Sequence, residues 1–206
     1  MSGFFLVVEG PEGAGKSTLV RELERHLIAA GRRVQLVREP GGTPLAEAAR
    51  RLVLDPALHA GPAAELFLML AARADLVEKV IRPLLAGGTV VVADRFDLST
   101  MAYQVAGRGL PEDVVMRANA LAKGGLEPDL TILLDIPAGV GVIRQQAAGK
   151  SPDRIEQADG HFYRRVNDRY RAEKDGPTVV RIVAHDRTPD DVAKLAWLEV
   201  LKRLNP

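Results

Sequence analysis

The ten residues EGPEGAGKST, at positions 9–18, limit what this chain can fold into more than any other stretch. They follow an apolar run at Phe4–Val8, precede a helical pattern, and contain the spacing Gly-x4-Gly-Lys-Ser of a loop that wraps phosphates with backbone N–H groups. A strand, such a loop and a helix begin an α/β fold in which the helix directs its positive end at the anion. The alternative is a chance match in a glycine-rich turn, which would rarely have this setting.

The loop therefore predicts a nucleotide-binding site. Lys16 can reach the outer phosphates, and the Ser17 hydroxyl can ligate Mg²⁺. Glu12 is at odds with an anion site, because it places an acidic side chain in the middle of the loop. The residues predicted to contact the nucleotide here are Gly10, Pro11, Glu12, Gly13, Ala14, Gly15, Lys16, Ser17 and Thr18.

The composition excludes several classes of protein. The 206 residues carry 28 Lys and Arg against 27 Asp and Glu, so no long-range field draws the chain to nucleic acid or to a membrane. The chain contains no cysteine, which excludes disulfides and thiolate metal sites, and its four histidines are scattered and interpreted as surface or packing residues. We find no signal-peptide pattern and no apolar stretch near the roughly 20 residues of a membrane span. A soluble, cytoplasmic protein is expected.

Five apolar runs divide the chain. They are rich in Val, Ile and Leu without alternating polar residues, which is typical of parallel strands buried on both faces. Helical patterns lie between them, so we expect one α/β domain over residues 1–206, with a parallel five-stranded sheet covered by helices on both faces. The predicted strands are Phe4–Val8, Val34–Val37, Thr89–Ala93, Leu130–Ile136 and Thr178–Val183. The predicted helices are one from the phosphate loop to Gly31, then Ala63–Leu85 (bent or ended by Pro83), Pro111–Lys123, Ile136–Ala148, Gln157–Lys174 and Thr188–Leu204.

Segments that follow the strands directly are the candidates for a site, because open parallel sheets bind ligands beyond the carboxyl ends of their strands. Arg38–Thr43 either contributes to the site or forms a tight turn with an exposed ion pair. Asp94 can hold a Mg²⁺-bound water or a reacting hydroxyl and Arg95 can clamp a phosphate, unless the two are a surface ion pair. Residues 144–156 form either a solvated loop or a lid that closes cations over transferring phosphates.

Together these segments resemble bacterial thymidylate kinases, which transfer the γ-phosphoryl group of ATP to dTMP. The resemblance implies a single-domain P-loop kinase fold, Mg²⁺ as the cofactor, in-line transfer without a covalent intermediate, and a homodimer. It runs from Phe5 to about Tyr170 and rests on EGPEGAGKST, REPGGT, AAR (71–73), DRFDLST followed by AYQ, GRG (107–109), PDLTILLD and DRIEQ (153–157).

The resemblance gives Glu12 a role on the acceptor side of the loop. The N–H groups of the loop face the donor phosphates, while a carboxylate that points away can accept a hydrogen bond from the 3′-hydroxyl of dTMP. The alternative is that Glu12 is solvated or stabilised by the positive end of the helix. Arg95 matches the arginine that holds the dTMP phosphate, and Asp94 matches the acid that, with Ser17, places Mg²⁺ directly or through water. Lys16, Asp94 and Arg95 are thus predicted to be catalytic.

The thymidine part of dTMP is assigned in the same way. Arg38 belongs to the acceptor-binding REP segment, in which Glu39–Pro40 is expected to be a cis peptide. Arg73 matches an arginine that donates to a thymine carbonyl, and Tyr103 matches an aromatic that crowds the 2′ position and favours deoxyribose. Residues expected to contact the base or its surroundings are Ser99, Thr100 and Gln104.

Two features depart from the family pattern. Gly13 carries no charge, so the lid is expected to supply the cation, yet Gln146 and Ala148 stand where relatives often have arginine. Arg144, Lys150 and Arg154 remain as candidates for the cation that meets the transferring phosphoryl group. Lys150 and Arg154 are favoured and are predicted to be catalytic. Arg144 is predicted to bind ATP by stacking on adenine.

The second departure concerns the base. Relatives place a phenylalanine four residues before the AAR arginine, where this chain has Met69. A methionine can pack on a ring through its polarizable sulfur. If the helix were displaced, Phe67 could take that role instead.

Rival functions are distinguishable from the sequence. A kinase of the same fold acting on another nucleoside monophosphate or on a deoxynucleoside lies nearest, and the REPGGT and AAR segments argue against it. A GTP-dependent switch normally carries an Asn-Lys-x-Asp motif, which is absent here. A non-catalytic nucleotide-binding module would differ by showing no turnover.

Overall fold

A parallel five-stranded sheet forms the centre of the molecule. The computed structural model describes residues 3–147, 149, 153–155 and 157–204. Neighbouring strands are parallel throughout and lie in the order β2-β3-β1-β4-β5, as the unalternating apolar runs predict. The strands are β1 (Phe4–Glu9), β2 (Val34–Arg38), β3 (Val90–Asp94), β4 (Leu130–Asp135) and β5 (Val179–Val183).

Helices cover both faces of this sheet. One face of β1 packs through Leu6 and Val8 against the helix that follows the phosphate loop and the last helix of the chain. The other face packs through Phe5 and Val7 against the long helix before β3. The helices are α1 (Lys16–Ala29), α2 (Pro44–Leu54), α3 (Pro62–Leu76), α4 (Arg82–Ala86), α5 (Asp97–Thr100), α6 (Glu112–Lys123), α7 (Val140–Ala147), α8 (Gly160–Ala172) and α9 (Pro189–Leu204), with π-helical turns at Val77–Ile81 and Met101–Gly107.

The long helix predicted over Ala63–Leu85 is confirmed, and the structure shows how it accommodates proline. Helices α3 and α4 are joined without a break by the π-helical turn Val77–Ile81. Pro83 lacks the N–H that a regular turn requires and its ring crowds the carbonyl of the preceding turn. A π-turn just before it is a common way for a helix to absorb such a defect.

Two helical segments were not predicted from the sequence. For α2 the signal is present, because Thr43 Oγ1 caps the helix by accepting from the Ala46 N–H at 3.1 Å and Pro44 occupies the first turn. The same Thr-Pro pair does predict α9 at Thr188. The segment from α5 through Met101–Gly107 is almost wholly buried, so it has no polar face to mark it.

Two predicted helices begin later than expected. Helix α7 begins at Val140 rather than Ile136, because Ile136 precedes Pro137 and Gly139 has φ 91°. Helix α8 begins at Gly160 rather than Gln157, because the Asp159 carboxylate caps it by accepting from the Phe162 N–H at 2.7 Å. Both shifts lengthen the loops that surround the candidate site.

The strand register brings polar residues to one edge of the sheet. Asp94 at the end of β3 pairs with Arg38 on β2 and with Val8 on β1, next to Glu9. The phosphate loop leaves β1 at the same edge. A cavity opens there.

Candidate active site

A cavity of about 480 Å³ lies at the carboxyl edge of the sheet. The phosphate loop and the start of α1 form one side of it, and α2, α3 and the α5 segment form the other. Most residues predicted from the sequence line it. These are Glu12, Gly13, Gly15, Lys16, Ser17, Thr18, Arg38, Pro40, Met69, Asp94, Arg95, Ser99, Tyr103, Gln104 and Arg144.

Lys16 closes the phosphate loop on itself. Its ammonium group donates to the carbonyl oxygens of Gly10 (3.0 Å) and Pro11 (2.8 Å), and the side chain is buried. Burial and, second, the charge of Arg95 lower the pKa of Lys16 to about 8. A phosphate placed in the loop would therefore meet a lysine whose charge is costly without an anion.

Ser17 and Asp94 are neighbours, as predicted for a magnesium site. The Ser17 hydroxyl donates to the Asp94 carboxylate at 2.8 Å. A hydroxyl and a carboxylate suit Mg²⁺, which commonly takes one or two protein oxygens and completes its shell with water and substrate phosphates. Among the described residues no group of three or more His, Cys, Asp or Glu could hold a metal by itself. The residues present fit a substrate-assisted magnesium site.

Arg95 connects the phosphate loop to the other side of the cavity. It donates to the Glu12 carboxylate at 2.5 Å, to the Tyr103 hydroxyl and the Ser99 hydroxyl at 3.1 Å, and to the Tyr170 hydroxyl at 3.3 Å. Its guanidinium also lies 5.0 Å from the centre of the Tyr103 ring. A second cavity, of about 320 Å³, adjoins the phosphate loop, and Glu12 does not line it. The Glu12 carboxylate instead points towards Arg95 in the main cavity.

Sequence reasoning missed the carboxylate that binds two of the hydroxyl groups around Arg95, those of Ser99 and Tyr170. Glu9, at the end of β1, is fully buried and accepts from the Ser99 hydroxyl (2.7 Å), the Phe96 N–H (2.8 Å) and the Tyr170 hydroxyl (3.0 Å). Burial raises the pKa of Glu9 despite the nearby Arg95. The sequence did offer a signal for Glu9, because this residue directly follows the apolar run Phe4–Val8. Tyr170 had no such signal, because it comes from α8.

A second missed residue is Arg50 on α2. It lines the cavity near Arg38 and donates to the Pro40 carbonyl oxygen at 2.9 Å. The Glu39–Pro40 peptide is cis, as expected. Because α2 itself was not predicted, its inward face could not be assigned.

Arg73 does not line the cavity. Its side chain is 1% exposed and lies behind the wall in an ion pair with Glu39. Its remaining hydrogens go to Thr100 Oγ1 (2.7 Å), Asn119 Oδ1 (2.5 Å) and the Phe96 carbonyl oxygen (2.8 Å), so all five donors are used. The predicted contact with a thymine carbonyl would require one of these partners to be exchanged. Thr100, predicted near the base, is likewise buried behind the wall.

Met69 and Phe67 lie on different faces of α3. Met69 lines the cavity, whereas Phe67 is 65% exposed and does not. The helix is therefore in the register that brings Met69, rather than Phe67, to the site.

Comparison with known proteins shows the family of this chain. The family model for thymidylate kinase matches residues 8–194. The thymidylate kinase of Deinococcus radiodurans is 44% identical over 205 residues, which are 98% of each chain. Those of Pseudomonas fluorescens (46% over 187 residues, 89% of each chain) and Thermomicrobium roseum (45% over 206 residues, 97% of each chain) are also similar. The chain belongs to the thymidylate kinase family.

In this thymidylate kinase family member, the cations of residues 144–156, the segment predicted to be a lid, differ in their distance from the phosphate loop. Arg144 lies at the phosphate loop, donating to the Gly13 carbonyl oxygen at 3.3 Å, and lines both the main cavity and an adjoining one of about 320 Å³. Arg154 does not line either cavity, because it donates to Val53 O and to the Glu65 carboxylate, each at 2.7 Å. The position of Arg154 therefore does not support its predicted role at the transferring phosphoryl group. Lys150, like Ala148, lies outside the described residues.

The phosphate loop and α7 touch directly at glycines. A Cβ on Gly13, which has φ 72°, would lie 2.4 Å from the Gly141 carbonyl oxygen of α7. Position 13 therefore has no room for a side chain in this arrangement. No helix among the described residues is long and apolar enough to cross a membrane.

Proposed function

We propose that the protein phosphorylates dTMP to dTDP, with ATP as the donor and Mg²⁺ as the cofactor. The observation that carries the proposal is the meeting of two cations at one cavity, the buried Lys16 on the donor side and the half-buried Arg95 on the acceptor side. Family membership supports the same reaction, since relatives of nearly equal length are named thymidylate kinase. In-line transfer between two phosphates depends on such positioning and charge neutralisation, with little covalent chemistry.

On the acceptor side, Arg95 would hold the dTMP phosphate. In the structure its guanidinium is shared between Glu12 and three hydroxyl groups. A phosphate dianion would compete with Glu12 for that cation, and Glu12 could then accept from the 3′-hydroxyl of the sugar. Glu12 thereby serves the acceptor although it stands in the donor's phosphate loop.

The base would lie between Met69 and the α5 segment. Gln104 lines the cavity, and its carbonyl oxygen accepts no hydrogen bond from any described residue. That oxygen is suited to the N3–H of thymine, since a buried acceptor left without a donor is costly. Tyr103 would crowd the 2′ position, and Arg38 and Pro40 would close the site from β2.

On the donor side, the backbone of the phosphate loop and Lys16 would hold the ATP phosphates at the positive end of α1. Mg²⁺, placed by Ser17 and Asp94, would neutralise charge on those phosphates. Arg144 lies at the loop, so we keep its assignment to the donor nucleotide, whereas Arg154 contacts Val53 and Glu65 instead.

A coupled assay of ADP release tests this function with dTMP, dUMP, dCMP and AMP as acceptors. Turnover is expected with ATP and to be highest with dTMP. Preference for another acceptor would make the protein a different kinase of the same fold. In a separate binding measurement, tighter binding of GTP than of ATP would favour a GTP-dependent switch. Nucleotide binding without turnover would favour a non-catalytic nucleotide-binding module.

Three further points belong to the proposal. The chain acts as one domain, with residues 144–156 as its lid. It works as a homodimer, for which large exposed apolar side chains on α2, α3 and α6 offer a surface. It works in the cytoplasm on soluble nucleotides.

A further inference from the structure

Glu65 on α3 joins three parts of the molecule that the proposed mechanism leaves unconnected. Its side chain is 1% exposed and accepts from Arg108 of the GRG motif at 2.9 Å and from Arg154 of the lid segment at 2.7 Å. It also accepts from the Gln104 side-chain amide at 3.0 Å. A fully buried carboxylate thus holds two arginines and a residue of the acceptor cavity.

The two arginines keep this carboxylate ionised. Burial by itself raises the pKa of Glu65, but hydrogen bonds from Arg108 and Gln104, together with the charge of Arg108, lower it below the ordinary value of 4.5. The Arg108 guanidinium is in turn placed over the Phe162 ring, 4.5 Å from its centre. An ionised carboxylate has only acceptors to offer.

The charge of Glu65 therefore dictates how the Gln104 amide is oriented. Because a carboxylate cannot donate, the NH₂ group of Gln104 must face Glu65, and the carbonyl oxygen must face away from it. That oxygen is buried and accepts no hydrogen bond within the described part of the chain, while Gln104 lines the cavity. The part of the Gln104 amide that is left for a ligand is therefore its carbonyl oxygen, and not an N–H.

Arg154 extends the same contact to the lid. Its backbone N–H donates to the Leu54 carbonyl oxygen at 3.1 Å, and its guanidinium donates to Val53 O at the end of α2. The side chain is 11% exposed, so it is docked rather than directed at the donor phosphates. Arg154 thus connects the segment 144–156 to α2 through Val53 and to α3 through Glu65.

We propose that Glu65 sets the base preference of the acceptor site by orienting the Gln104 amide, and that Arg154 of the lid acts on the acceptor through Glu65. Glu65 is a positioning residue, since it is buried and does not line the cavity. The chemistry it selects is a pyrimidine with an N–H at position 3, as in thymine or uracil, against cytosine, whose N3 is an acceptor. This inference rests on the proposed acceptor kinase activity.

The test compares kcat/KM for dTMP and dCMP in Glu65→Gln. A neutral amide can donate as well as accept, so Gln104 can turn its NH₂ towards the cavity. We expect the preference for dTMP over dCMP to fall by about tenfold or more, since a buried polar group left unmatched is costly, while the KM for ATP stays within twofold. Glu199→Gln is the matched control, because Glu199 also binds two cations, Lys202 and Arg203, but on α9; its preference should equal that of the wild type.

A double-mutant cycle separates orientation of Gln104 from general damage. In a Gln104→Ala background the Glu65→Gln change should no longer alter the dTMP to dCMP ratio. If it alters the ratio equally in both backgrounds, the inference is wrong.

Arg154→Met gives an independent readout that also serves if Glu65→Gln does not fold. It should raise the KM for dTMP and narrow the base preference with little change in kcat. A fall in kcat alone would place Arg154 at the transferring phosphoryl group and overturn the inference. A wild-type protein that does not prefer dTMP would instead overturn the proposed function, so the two failures differ.

Discussion

Arg95 shows how a single residue is held ready for a ligand. It is the non-glycine residue with a left-handed backbone, φ 76°, in the described part of the chain. Such a conformation costs about 1–3 kcal/mol and persists where the surroundings over-determine it. The contacts with Glu12, Ser99, Tyr103 and Tyr170 do so here, and they aim the guanidinium into the cavity.

Replacement of Arg95 tests its predicted grip on the acceptor phosphate. Arg95→Met should weaken dTMP binding by about 2–5 kcal/mol, as for other desolvated charged contacts, and should affect ATP much less. Calorimetric titration of the variant with each nucleotide measures both effects. Survival of dTMP affinity within a few-fold of the wild type contradicts the assignment.

Lys16 should make ATP binding depend on pH. In the free protein burial and then Arg95 lower its pKa to about 8. Above that pH the free lysine becomes neutral, while ATP binding requires the charged form, so binding takes up a proton. The dissociation constant for ATP should rise with pH above about 8, by up to about tenfold per unit.

Titration calorimetry at several pH values and in buffers of different ionisation enthalpy measures that proton directly. Affinity that stays constant from about pH 7.5 to 9.5, without proton uptake, would show that the pKa of Lys16 is not lowered.

Two elements, the phosphate loop and α7, meet with no space between them. A Cβ on Gly141 would lie 1.9 Å from the Glu12 carbonyl oxygen. Gly141→Ala should therefore push α7 off the loop, with an overpacking cost of about 1–3 kcal/mol and weaker ATP binding. Gly160→Ala at the start of α8 is the control, since nothing lies within 4 Å of its Cβ. Equal melting temperatures and ATP affinities for the two variants would refute the contact.

Met69 and Phe67 lie on different faces of α3, so replacing each of them should affect dTMP affinity differently. Met69→Ala should weaken dTMP more than ATP by up to about tenfold, since a sulfur–aromatic contact is worth roughly 0.3–1.5 kcal/mol. Phe67→Leu should leave dTMP affinity unchanged, because Phe67 is 65% exposed. Measuring the dTMP and ATP affinities of both variants tests this prediction. If only Phe67→Leu weakens dTMP binding, Phe67 and not Met69 packs on the base.

At the scale of the whole molecule, the apolar residues left on the surface predict how copies associate. Helix α3 packs against both α2 and α6, and these three helices expose large apolar side chains. They include Leu45, Leu52, Phe67, Val114 and Leu121, the last 84% exposed. We predict that a second copy covers this surface.

Leu121→Lys should shift the protein from dimer to monomer in sedimentation velocity experiments, because it buries a charge in the predicted interface. Leu198→Lys on α9 is the matched control, as Leu198 is 54% exposed but lies on another helix. A monomeric wild type, or a Leu121→Lys variant that remains dimeric, contradicts the predicted surface.

Local patterns were enough to establish the parallel sheet, the phosphate loop and the long helix before β3. Each depends on residues close together in the chain: unbroken apolar runs, the glycine spacing from Gly10 to Gly15, and a period of 3.6 residues. The resemblance then placed Arg95, Met69 and Gln104 where the structure also brings them to the cavity. Helix α2 could have been predicted from Thr43–Pro44, whereas the buried α5 segment offered no amphipathic pattern.

The side-chain partners came only from the folded arrangement. Arg73 turns to Glu39 and Asn119, and Arg154 turns to Glu65, across 34, 46 and 89 residues of chain. Spacing along the chain cannot choose between a substrate and a buried carboxylate as the partner of a guanidinium, because both satisfy its hydrogens equally well. That choice depends on which helices pack together behind the cavity, and so it separates the arginines that face the ligand from those that support the wall.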